Sequence, residues 1–246
     1  MALPGIYDMF NKAWKDYQTI YIISDTHFGD DDLKKAFPNR PSDDELVKLI
    51  NSKVGKKDLL IHLGDVGDLE YMKKIRGHKI LIAGNHDIGT TNYQRQKWIK
   101  RFDKDKFQKD EAIAEMKHLY PGCSYTIFEG YDFHAPFEYW EIEADNKLFD
   151  MVFSGPVMLG EKLLLSHEPI PNVEWCMNLH GHDHTGRKTD KYHLNVCADV
   201  IGYTPINFNQ FLKSGALSKI QTIHRKTIDL ATKNRKKRGG RKIGEK

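Results

Sequence analysis

Five short clusters of oxygen and imidazole donors each follow directly on a run of apolar residues, and this pairing restricts the fold more than any other feature of the chain. The clusters are Asp25-Thr26-His27, Gly64-Asp65, Gly84-Asn85-His86-Asp87, Ser166-His167-Glu168 and Gly181-His182-Asp183-His184. The apolar runs before them cover residues 20–23, 59–63, 80–83, 163–165 and 175–179. Short β-branched or leucine-rich runs bounded by Gly or Asp read as buried strands. Donors just past strand ends face one edge of a sheet, where open α/β folds keep their active sites. Between the first runs, Ser42-Asp43-Asp44-Glu45 has capping-box spacing and predicts a helix over 42–53, and a second helix is expected over 69–75. The resulting β-α-β-α-β alternation calls for a parallel or mixed sheet flanked by helices.

The remainder of the chain is less regular. Residues 1–18 read as a short helical lead-in. Helical patterns are expected over 93–102 and 111–119, followed by an aromatic stretch over 128–140. Short strands are expected over 148–153, 157–159, 162–165 and 193–196, with short helices over 207–213 and 227–233. The organisation expected is a single domain over 1–232 with an insertion around 88–160, then a basic, flexible tail over 233–246.

A chain of 246 residues can bury a sizeable core. No stretch approaches the roughly 18 apolar residues of a membrane span. The first residues carry Asp8, Lys12, Lys15 and Asp16 and so lack the apolar core of a signal peptide. Cys123, Cys176 and Cys197 form no CxxC pair, which excludes a disulfide framework and a zinc knuckle. A soluble, cytoplasmic protein without a membrane partner is expected. The net charge of +4 is uneven: residues 233–246 hold eight Lys or Arg and one Glu, leaving the first 232 residues at −3. Such a tail is either a solvated end or a contact for nucleic acid.

Carboxylate, amide and imidazole donors in one place suit Mn, Fe, Zn, Co or Ni better than Ca or Mg, which prefer all-oxygen shells. Two divalent ions roughly 3.5–4 Å apart can activate water and offset the charge on a phosphoryl group. Ions that close need a bridging anion, and a carboxylate has two oxygens to offer.

In these motifs and their order, the chain resembles the calcineurin-like metallophosphoesterases. D-x-H, G-D, G-N-H-D, a lone His after a strand and G-H-x-H all occur between Tyr21 and His184. It looks most similar to the small bacterial and phage-type members, which share Ser24-Asp25-Thr26-His27-Phe28-Gly29 and the Ser-His-x-Pro of residues 166–169. The resemblance implies an α/β fold, a double β-sheet sandwich flanked by helices on both outer faces. It implies that Asp25, His27 and His184 bind one metal and Asn85, His167 and His182 a second, with Asp65 bridging. It places His86 at the leaving-group oxygen as general acid or stabiliser, held by Asp25 or Asp87. The activity implied is hydrolysis of a phosphodiester or phosphomonoester of a small molecule, by in-line attack of a metal-bridging hydroxide. Manganese is the first metal expected, with iron, nickel, zinc or cobalt as the others.

One departure stands out. Many of the small members have a His directly after the D-T-H-F-G run, where this chain has Asp30 followed by Asp31 and Asp32. An acidic entrance would disfavour highly anionic substrates or attract a further cation, and an exposed acidic turn is an equal alternative. Arg40 and Arg187, in loops after ligand motifs, are candidates to hold a phosphate as bidentate donors. His62 and His180 are read as packing or supporting residues. Asp183, Asp199 and Glu168 are candidates to accept the second N–H of a ligating imidazole. Most of the aromatics Phe128, Tyr131, Phe133, Phe137, Tyr139 and Trp140 are expected to face the core rather than to stack on a nucleobase. Two other functions remain open: a nuclease acting on DNA or RNA, and a metal-binding scaffold without chemistry.

Overall fold

A computed structural model describes residues 19–87, 97–121, 123–145, 148–187 and 189–239. The helical lead-in expected over 1–18 lies outside the described residues. In chain order the strands are β1 (Ile20–Ile23), β2 (Leu59–His62), β3 (His78–Ile82), β4 (Lys97–Asp103), β5 (Ser124–Asp132), β6 (Phe137–Asp145), β7 (Met151–Phe153), β8 (Val157–Leu159), β9 (Leu163–Leu165), β10 (Met177–His180), β11 (His193–Asn195) and β12 (Ile206–Asn207). The helices are α1 (Asp31–Ala36), α2 (Asp43–Asn51), α3 (Leu69–Lys74), α4 (Lys109–Leu119), α5 (Ala198–Ile201), α6 (Phe208–Lys213) and α7 (Ile223–Gly239).

Three sheets form. One has the order β12-β1-β2-β3-β7 and another β11-β10-β9-β8. β1 runs parallel to β2, with Ile22 opposite Ile61, and β10 runs parallel to both β9 and β11. β1 and β9 lie wholly within apolar runs of the sequence, β2 ends on His62, and β10 carries Asn178 and His180. Every residue of β2, β9 and β10 is buried, as expected of parallel strands covered on both faces. The architecture is therefore the mixed α/β class expected, with each ligand cluster following a strand end.

The chain divides into two compact units. The first takes the described residues within 1–78, 82–88 and 153–246, and the second those within 79–81 and 89–152. The second covers most of the span expected as an insertion. It contains the antiparallel sheet β4-β6-β5. Phe102, Ala112, Met116, Ile142 and Ala144 form its buried core, where α4 meets the sheet.

Two expectations change here. The helical pattern expected over 93–102 is strand β4 from Lys97 onward, and residues 93–96 lie outside the described set. Trp98 and Phe102 are four apart, which suits a helix face, but they are also even-numbered steps along a strand. Their inward side alternates with exposed Lys97, Ile99 and Arg101, and seven residue pairs with β6 fix the strand. Among the aromatics, Trp140 packs against the core of this unit, whereas Phe128, Tyr131 and Phe133 are exposed, Phe133 by 85%.

α1 was not foreseen. Asp30 caps it, its carboxylate accepting from Leu33 N–H at 2.8 Å, with Asp31 and Asp32 in the first turn where the helix dipole favours anions. α7 is longer than the helix expected over 227–233, and residues 233–239 of the basic tail continue it. Residues 240–246 lie outside the described set. No helix among the described residues is long and apolar enough to cross a membrane.

Candidate metal centre

The loops that carry the donors are held in an uncommon backbone conformation. Six non-glycine residues among those described have positive φ, and four of them are Asp25 (59°), His27 (39°), Asp65 (54°) and His182 (65°). Each such residue costs on the order of 1–3 kcal/mol and persists only where its surroundings over-determine it. They do so here. Asp25 N–H donates to Gly64 O at 2.9 Å and His27 N–H to Asp65 O at 3.0 Å, so the loops after β1 and β2 run side by side. Buried Asp87 ties in the third loop, accepting from the N–H groups of Asp65 (2.7 Å), Gly84 (2.9 Å) and Val66 (3.2 Å). A Cβ at Gly84 would strike the Asp65 carboxylate, and one at Gly181 the Asp25 carboxylate. Those two motif glycines are thus there for close approach.

The donors converge as two groups. Asp25, His27 and His184 form one, and Asp65, His167 and His182 the other. In the first, Asp25 Oδ1 lies 3.9 Å from His27 Nε2 and 3.7 Å from His184 Nε2. In the second, His167 Nε2 lies 3.2 Å from His182 Nδ1 and 2.9 Å from Asn85 Oδ1. Asp65 Oδ2 stands between the groups, 3.4 Å from His27 Nε2 and 3.3 Å from His167 Nε2. Metal–ligand bonds of about 2.1 Å put neighbouring ligand atoms roughly 3.0–3.4 Å apart, so the spacings around Asp65 and His167 are close to those of a filled coordination shell, and those around Asp25 are wider.

Two buried side-chain atoms among the described residues have no hydrogen-bond partner, and they are Asp25 Oδ1 and His27 Nε2. An unsatisfied buried carboxylate oxygen is expensive in a folded protein. That both orphans belong to one donor group fits a cation at that place. Asp65 is equally suited to the junction. Burial raises the pKa of its carboxyl, but the facing imidazoles of His167 and His27 outweigh this and hold it well below the usual range, so it is an anion.

The supporting contacts settle which candidates orient the imidazoles. Asp199 accepts from His184 Nδ1 at 2.6 Å, and Leu63 O from His167 Nδ1 at 2.8 Å, leaving Nε2 of each ring facing its group. Asp30 Oδ2 lies 3.5 Å from His27 Nδ1. Of the three acids considered for this support, Asp183 instead accepts from Thr185 N–H, and Glu168 is exposed. The signal for Asp199 in the sequence was only its place after an apolar run. Burial raises its pKa, but His184 and the Arg40 charge hold it at about 2.

His62 and His180 stay out of the donor groups, as expected. His62 accepts from Gly64 N–H at Nδ1, so Nε2–H points to Thr26 Oγ1 at 3.0 Å, and burial pushes its pKa to about 3. Cys197 Sγ lies 3.6 Å from His184 Nδ1, but that nitrogen serves Asp199 and burial raises the thiol pKa, so no third centre follows.

Three assignments need correction. Arg40 does not face a substrate: its guanidinium is buried and donates to Asp199, Asp25 O and Thr26 O. Asp30 is not merely an acidic turn, since it caps α1 and faces His27. His86, expected to be held by Asp25 or Asp87, has Nε2 4.0 Å from Asp65 Oδ2 and its ring 5.3 Å from that of His27, while its N–H donates to Asp65 Oδ1. Its side chain is 66% exposed at the mouth. Arg187 is exposed, three residues beyond His184.

Histidine, carboxylate and amide donors thus converge around Asp65 in an arrangement able to hold metal. The calcineurin-like phosphoesterase family profile matches residues 18–198, and the chain belongs to that family. Family membership makes it a metal-dependent phosphoesterase. No curated protein matches it significantly. Among solved structures, a protein of unknown function from Aquifex aeolicus is similar, at 20% identity and a TM-score of 0.48, covering 80% of this chain and 98% of that one.

Proposed function

We propose that the chain hydrolyses a phosphodiester or phosphomonoester of a small molecule, using two divalent ions with manganese the first choice. The observation that carries this reading is Asp65 Oδ2 at 3.4 and 3.3 Å from imidazoles of the two donor groups, one of which has two orphaned atoms. When bound, such ions supply a nucleophile from water at neutral pH and offset phosphoryl charge. Asp25, His27 and His184 would hold one ion, Asn85, His167 and His182 the other, with Asp65 between. His86, exposed beside Asp65, is free to donate a proton to the departing oxygen. Arg187 remains a candidate phosphate contact.

The rim favours substrates of low charge. A cleft of about 230 Å³ lies beside Asn85 and His167, lined also by Ser154, Gly155, Pro156 and Glu168, with no Lys or Arg among its described residues. With Asp30 on the His27 side, a diester with one charge at phosphorus meets less repulsion than a dianionic monoester. A panel of monoesters, diesters and cyclic nucleotides on metal-stripped protein refilled with Mn, Fe, Ni, Zn, Co or Mg tests this. Diester turnover should exceed monoester turnover with manganese; monoester preference overturns the low-charge reading, and turnover of neither ester class overturns the proposed activity.

A second reading, a nuclease, is favoured by α7, whose described side chains from Ile223 on are all exposed and whose end is basic. The acidic remainder of the chain and a cleft lined by Glu168 with no Lys or Arg among its described residues oppose it, since a nucleic-acid groove needs cations beside the site. The retained donor set with His86 in place argues against a scaffold without chemistry.

A further inference from the structure

Arg40 lies in the turn after α1, its N–H donating to Phe37 O at 2.9 Å. Its side chain is 1% exposed and that of Asp199 is 3% exposed. Nη1 donates to both Asp199 oxygens, at 2.6 and 2.5 Å. Nη2 donates to Asp25 O at 3.0 Å and Thr26 O at 2.5 Å. Asp199 receives three further donors, Tyr203 Oη at 2.9 Å, His184 Nδ1 at 2.6 Å and, more weakly, Cys197 Sγ at 3.8 Å. One guanidinium thus grips both the turn that presents Asp25 and His27 and the carboxylate that aims His184. None of its hydrogen bonds among the described residues goes to Asn85, His167 or His182.

Burying a charged pair is not in itself an efficient way to stabilise a fold, because the desolvation offsets the attraction. What the pair does achieve is geometry. The planar fork fixes two partners at set angles, which neither a lysine nor an apolar side chain can do. The grip reaches Asp25 directly and His184 through Asp199, whereas it reaches the second group only indirectly, through His182 N–H on Asp25 Oδ2 at 2.9 Å.

We propose that Arg40 is a positioning residue for a single ion, setting the affinity of the Asp25–His27–His184 group without governing the group that contains His167 and His182. This rests on the two-ion reading above. The two sites then differ in their dependence on the loop after α1, and the ion nearer His184 is the one released first when that loop is disturbed.

The test uses the full chain, stripped of metal and titrated with Mn(II), in wild type, Arg40→Met and Arg40→Lys. Bound ions per chain are counted, and electron paramagnetic resonance distinguishes a coupled pair from an isolated ion. Wild type is expected to bind two ions and give a coupled signal. Arg40→Met should keep one ion with near wild-type affinity, bind the second at least tenfold more weakly, and show an isolated-ion spectrum. Arg40→Lys should fall between, since an ammonium cannot grip both partners. Thermal melting of the metal-free proteins shows that the variants fold, and if Arg40→Met does not, Arg40→Lys carries the same readout. Equal weakening at both sites, or unchanged binding at both, overturns the proposal. If wild type binds only one ion, the two-ion reading fails by itself, and the Arg40 proposal then stands or falls on whether that ion is weakened.

Discussion

At the scale of single residues, the ligand candidates were legible because metal chemistry restricts which side chains can serve and motif spacing restricts where. Asp25, His27, Asp65, Asn85, His167, His182 and His184 all converge. The residues that aim them were harder to read. Asp199 and Arg40 are about 160 positions apart and meet only through folding, so no local pattern announces the pair. Asp30 looked like a surface acid because one residue type serves equally as solvated turn, helix cap and imidazole partner. His86 gives the sharpest prediction at this scale. Among the described residues its Nε2 comes within ion-pair distance only of Asp65 Oδ2, at 4.0 Å, so its removal should leave the donor groups intact. His86→Ala should lose roughly 10²–10⁴-fold in rate on an ester with a poor leaving group, the usual worth of general acid catalysis. An activated nitrophenyl ester, which needs less protonation, should lose much less. Equal losses on both substrates would remove the acid role.

At the scale of elements, β1 and β9 begin and end where the apolar runs do, because buried parallel strands need continuous apolar residues. β4 was misread because Trp98 and Phe102 fit both a period of 3.6 and a period of 2, and only pairing with β6 decides. α1, six residues long, was too short to give a period at all. The junctions between elements are where the fold makes the site. Gly84, between β3 and Asn85, sits against the Asp65 carboxylate. Gly84→Ala should therefore displace Asp65, cutting bound metal and turnover together while far-ultraviolet circular dichroism stays native. A variant with full metal content would show that this close approach is not needed.

At the scale of the whole molecule, charge and site are separated along the sequence. Residues 233–246 carry eight Lys or Arg, whereas the first 232 residues are net acidic. The composition showed this separation, but not that residues 233–239 prolong a helix, since its early residues lack a strong apolar face. Because no described side chain of α7 is buried, removing residues 233–246 should leave turnover of a small phosphodiester unchanged. Turnover of an oligonucleotide across a salt series should also be unchanged. A loss confined to the polymer, with a flatter salt dependence, would promote the nuclease, because each phosphate neutralised releases about one counterion. The central claim is that two ions share Asp65, and the most direct measurement is the metal content of Asp65→Asn beside wild type. Two ions per chain are expected in wild type and well below two in the variant, with the fold intact. Two tightly held ions in Asp65→Asn would contradict it.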